Sequence, residues 1–108
     1  MKKSEQVLIV THVPQENIQE VQEAVWSAGA GVEGNYKNCG FIMKGKGFFT
    51  PIDGAQPAIW KVGKPEQVEE YHFEFTCKKE ILEAVIMALK KAHPYEEVPV
   101  QIFEYFEL

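Results

Sequence analysis

Residues 92 to 99, AHPYEEVP, crowd a histidine, a tyrosine and two carboxylates into one short stretch. Imidazole and carboxylate are ordinary ligands of divalent ions, which makes His93, Glu96 and Glu97 the candidate metal set. A structural reading competes with it. A histidine at a helix exit is favoured by the helix dipole when protonated, and neighbouring glutamates on an extended chain point to opposite sides. Cys39 paired with His93 is the cysteine-based route to nucleophilic catalysis, but no local signature accompanies it. His12 and His72 have no acidic or cysteine partner at ligand spacing and read as strand-end or surface residues. Asn35 and Tyr36 follow Gly34 as a turn whose side chains could equally line a pocket for a small ligand.

The stretch GAGVEG, residues 29 to 34, matches the glycine fingerprint that cradles a dinucleotide pyrophosphate. That fingerprint needs a strand before the glycines and a helix after them. Here Ile18, Val21, Val25 and Ala28 recur at helical steps before Gly29, and an extended segment follows. A helix would deliver its carbonyl end to this loop, where the partial charge repels phosphate. Gly29 is therefore expected to close the helix, with Gly31 and Gly34 turning the chain back toward the sheet.

The elements that position these groups follow from periodicity. Residues 7 to 12, VLIVTH, read as a buried strand. Pro14 fits the first turn of a helix running to about Ala28. An extended piece is centred on residues 39 to 43, and Gly45 and Gly47 suggest a hairpin tip before a second short strand. Residues 51 to 65, rich in proline and glycine, form a long loop of the kind that lies over a site or a partner. In EEYHFEFTC, Tyr71, Phe73, Phe75 and Cys77 alternate with polar residues, which marks a strand with one buried face. Ile81, Leu82, Val85, Ile86 and Leu89 form one helical stripe that His93-Pro94 must end. The last strand covers residues 98 to 106. The order is β-α-β-β-α-β, an α+β ferredoxin-like sandwich with a decorated β-β connection. The sheet face away from two helices keeps more apolar surface than they can hide, which invites oligomer formation.

A chain of 108 residues with 45% hydrophobic and 25% charged residues is expected to be one globular domain, residues 1 to 108. The net charge of -5 argues against nucleic acid or an anionic membrane as partner. The opening MKKSEQVLIV is too short in apolar residues for a signal or a span, so a cytoplasmic location is expected. Cys39 and Cys77 lack C-x-x-C spacing and are expected to be reduced, small and largely buried.

Taken as an ordered set, AGAGVEGNYKNCGF, KGKGFFTPIDGAQP, Glu69-Glu70 and ALKKAHPYEE resemble the YqfO-type insertion domain of the Nif-three-like (NGG-interacting factor three) proteins, over about Val7 to Ile102. The resemblance implies a PII/CutA-like sandwich that assembles as a trimer. It marks Gly34, Asn35, Tyr36, Cys39 and Tyr95, with His93, Glu96, Glu97 and Pro57 among others, as a shared surface. The chain departs from the usual pattern at Gly40, Trp60, His72 and residues 98 to 101. The dinuclear metal site of full-length members lies in flanking domains, so their hydrolase-like activity is not expected here. The expected function is a non-enzymatic homotrimer that binds a small ligand or a divalent metal near subunit boundaries. The alternatives are an oligomerisation module without ligand and a hydrolase-related enzyme.

Overall fold

The computed structural model describes residues 1–56 and 59–108; Pro57, marked above, lies outside them. Strand β1 spans Lys2–Pro14, helix α1 Ile18–Ser27, β2 Phe41–Phe49, β3 Glu66–Lys78, α2 Leu82–Ala92 and β4 Val100–Glu107. A short 3-10 turn precedes each helix, at Gln15–Asn17 and Lys79–Ile81. The strands form one antiparallel sheet in the order β2-β3-β1-β4. This is the ferredoxin-like arrangement, with the β1–α1–β2 unit split by β3.

Side chains alternate across the sheet, and the odd-numbered residues of β1 and β3 face the helices. Ile9, Val13, Phe73, Phe75 and Cys77 pack there against Val21 and Val25 of α1 and Val85 and Leu89 of α2, all essentially inaccessible. Trp26 sets its ring edge-on to Phe73 and Phe75, with centroids at 5.6 and 6.0 Å. The expected apolar stripe on α2 is the one that packs, and the helix ends at Ala92 because His93, next to Pro94, is extended (φ -76, ψ 136).

Three expectations about elements are corrected. β1 runs to 13 residues rather than six, since its polar ends pair with β4 through Lys2↔Glu107 and with β3 through Pro14↔Glu70. Backbone pairing extends a strand where no apolar pattern announces it. Pro14 ends that strand instead of opening the helix, which begins four residues later at Ile18. Gly45 and Gly47 are not a hairpin tip: β2 runs straight through them, paired as Gly45↔Glu70 and Gly47↔Val68. The connection lies further out, in the loop after Phe49. Its Pro51 carbonyl accepts a bond from Gly63 N–H at 2.7 Å.

Candidate functional site

β4 begins its pairing with β1 at Thr11↔Val100, beyond which the His93–Pro99 connection runs beside the last residues of β1. His93 docks on that edge. Its Nε2–H donates to the His12 carbonyl at 2.7 Å, and its Nδ1 accepts the Tyr95 N–H at 3.1 Å. Those two bonds define a neutral imidazole protonated on Nε2. Only 6% of the residue is exposed, and this burial lowers the imidazole's proton affinity, opposed by the bond to His12 and the charge on Glu70. Folded His93 therefore titrates below the unfolded value of about 6.5. As pH falls through that value the unfolded chain takes up the proton first, so stability present above it is lost below it. Urea unfolding midpoints should drop between pH 7 and pH 5, and His93→Gln should flatten that slope.

The next bond in the chain is shorter still. Tyr95 Oη donates to Glu70 Oε2 at 2.6 Å, joining the loop before β4 to β3. Glu70 is 8% exposed, unusual for a carboxylate, which is rarely buried without a partner. Burial, then the bond to Glu70, pushes the Tyr95 phenol well above its ordinary range. Gly47 provides the room: a Cβ there would lie 2.1 Å from Glu70 Oε1. Trp60 meets Phe49 and Tyr95 edge-on, with centroids at 4.6 and 5.6 Å, and Phe49 and Tyr95 lie tilted at 6.3 Å, around the carboxylate's end of the sheet. Gln56 N–H donates to Glu96 Oε1 at 3.0 Å, tying the long loop to the same cluster.

The second group of expected residues lies elsewhere. Helix α1 ends as anticipated: Gly29 is left-handed (φ 105), with Ala30 N–H bonded to Val25 O and Gly29 N–H to Trp26 O. A helix therefore enters GAGVEG, and the phosphate-binding geometry is absent from it. Gly31 (φ 79) donates to Thr76 O and accepts from Cys39 N–H, both at 2.8 Å, and Thr76 Oγ1 donates to the Glu33 carboxylate. Glu33 and Tyr36 bridge each other, which leaves Gly34, Asn35 and Tyr36 exposed at the tip of a tight turn. Thr76 and Glu70, the anchors of the two groups, are six residues apart on β3, about 20 Å along a strand.

One chain thus does not bring residues 34–39 to residues 93–97. The metal set is not assembled either. Both His93 nitrogens are taken by backbone groups, Glu96 accepts from Gln56, Glu97 is exposed, and no three His, Cys, Asp or Glu side chains among the described residues are placed to hold an ion. The spacing of His93 and the glutamates could not reveal that the imidazole is needed by the edge of β1. Cys39, held near Thr76, is remote from His93 and only partly buried; Cys77 is 1% exposed, and burial raises its thiol's pKa. Sequence reasoning also missed Glu70 as a buried group, and the pairing of His12 with His72. A glycine in β2 beside an acid in β3 was the available signal for the first; strand register was needed for the second.

This architecture defines the class: an α+β ferredoxin-like sandwich of the CutA and PII kind. CutA1 from Shewanella sp. SIB1 superposes with a TM-score of 0.70 at 19% identity, covering 97% of this chain and 85% of that one, a likeness of fold alone. No family model matches the chain. The chain is, over nearly its whole length, similar to one segment of the Nif3-related proteins. It is 43% identical over 95 residues, 88% of this chain, to the GTP cyclohydrolase 1 type 2 homolog of Bacillus subtilis. The Bacillus cereus protein related to NIF3 superposes with a TM-score of 0.83 at 34% identity, over 99% of this chain and 27% of that one. The chain spans about a quarter of the length of the curated relatives it matches, 26% for the B. subtilis protein.

Proposed function

We propose that the chain is a non-enzymatic, self-associating module, a homotrimer, that holds a small ligand where two copies meet. The observation that carries this is the sheet face turned away from both helices. By register it presents Phe41, Met43 and Phe103, which are 60, 49 and 47% exposed. An apolar face of this kind marks an interaction surface, and closed symmetric assembly is the common way to cover it. The separation of the two candidate groups supports the second half of the reading: residues 34–39 of one copy can join residues 93–97 only of another. The cyclohydrolase activity in the relatives' name is not carried over, because this chain matches about a quarter of them.

Native mass spectrometry of untagged protein tests the proposal. The expected result is three chains plus a stoichiometric extra mass, and Phe41→Glu with Phe103→Glu should give monomers. A monomeric wild-type chain would overturn it. A second reading, assembly without ligand, is favoured by one observation: His93, Tyr95 and Glu96 spend their hydrogen-bonding groups inside the chain. It corresponds to a clean trimer with no added mass.

A further inference from the structure

His12 and His72 are direct cross-strand partners of β1 and β3 on the sheet face turned away from the helices. His12 Nε2 lies 3.0 Å from His72 Nδ1, with ring centroids 5.0 Å apart and the rings tilted by 53°. Both residues are half-buried and accessible from that face. Glu74, two residues along the same face, places Oε1 3.6 Å from the other nitrogen of His72. Met43 is the partner of His72 on β2, so a methionine and two histidines form one row across three strands.

We propose that His12 and His72 form a binding site for a divalent first-row transition metal, with Glu74 orienting His72 from behind. Metal–imidazole bonds of about 2.0–2.1 Å at adjacent coordination positions separate two nitrogens by roughly 2.9–3.3 Å, the spacing already present. The short end of that range corresponds to an angle near 90°, which suits tetragonal or octahedral Ni2+ and Cu2+ better than tetrahedral Zn2+. The strands hold the two Cβ atoms, and small ring rotations turn both lone pairs to a common point above the sheet. In the metal-free pair one proton lies between the rings. Binding moves it from His12 Nε2 to His12 Nδ1, a tautomer change that releases no net proton. His72 keeps its proton on Nε2, facing the Glu74 carboxylate at 3.6 Å, and a small rotation closes that gap to the hydrogen bond by which carboxylates orient metal-bound histidines. Water completes the coordination, and the Met43 thioether is the nearest further donor by register.

The site differs from the one expected at His93, whose nitrogens are engaged, and it shares the sheet face that the proposed assembly would cover, so metal uptake and oligomeric mass are read together. Its test is calorimetric titration of the full chain with NiCl2 and, separately, ZnCl2 in chelator-free buffer, with mass measured in parallel. The expected result is one Ni2+ per chain, bound more tightly than Zn2+. His12→Gln and His72→Gln should each weaken Ni2+ by more than about tenfold, and Glu74→Gln by about tenfold. Cys39→Ser should leave the affinity unchanged. Circular dichroism of each variant verifies the fold. No Ni2+ uptake, uptake that survives both histidine substitutions, or uptake lost with Cys39 would overturn the assignment.

Discussion

Gly31→Ala should lower the unfolding free energy by about 3 kcal/mol, combining a left-handed backbone penalty with overpacking. The φ of 79° is one that a side chain adopts only under strain, and the new Cβ would meet Trp26 Cζ3 at 2.3 Å and the Cys39 carbonyl at 3.0 Å. Trp26 has little freedom to retreat, because its ring is wedged edge-on against Phe73 and Phe75. The bonds that seat the loop, Gly31 N–H to Thr76 O and Cys39 N–H to Gly31 O, must lengthen instead. Urea unfolding measures the total, and hydrogen exchange at the Cys39 amide reports the loop by itself. A destabilisation below about 1 kcal/mol would show that the loop relaxes and that the Trp26 contact does not constrain it. In a Trp26→Leu background the cost should shrink toward the backbone contribution.

Tyr95→Phe should cost about 2 kcal/mol, the range for a hydrogen bond to a charged group, because it leaves the Glu70 carboxylate buried without its donor. Gly47→Ala should reach the same contact from the other side by pushing Oε1 away from its place beside β2. Two changes that break one interaction do not add. Tyr95→Phe measured in the Gly47→Ala chain should therefore cost much less than it does alone. Full additivity in this double-mutant cycle would mean that Gly47 and Tyr95 act on different neighbours, and the buried carboxylate would need another explanation.

The two pairs of residues also show where sequence reasoning reached and where it stopped. The left-handed glycine after α1 was legible because the 3.6-residue spacing of Ile18, Val21 and Val25 runs out at that point, and a helix end needs such a residue. Gly47 was misread as a turn because glycine and a nearby proline are the ordinary marks of one. Its reason is a carboxylate that is 23 residues away in the chain and one strand away in space. The same holds for His93: its place before proline marked a helix stop, while its use as a brace on the His12 carbonyl required knowing where β4 starts.

What the sequence determined by itself is what short-range periodicity encodes: element order, the buried face of β3, the stripe on α2, and from these the β-α-β-β-α-β sandwich. The likeness to a segment of the Nif3-related proteins was equally legible, because it rests on ordered local motifs. Tertiary structure alone decided strand register. Register pairs His12 with His72, sets Glu70 against Gly47 and beneath Tyr95, and keeps Thr76, which seats the 29–39 loop, about 20 Å along β3 from Glu70, which holds Tyr95. A shift of two residues in a strand keeps every side chain on its own face, so the alternation that marks the buried face of β3 excludes odd shifts but does not record which partner each residue meets.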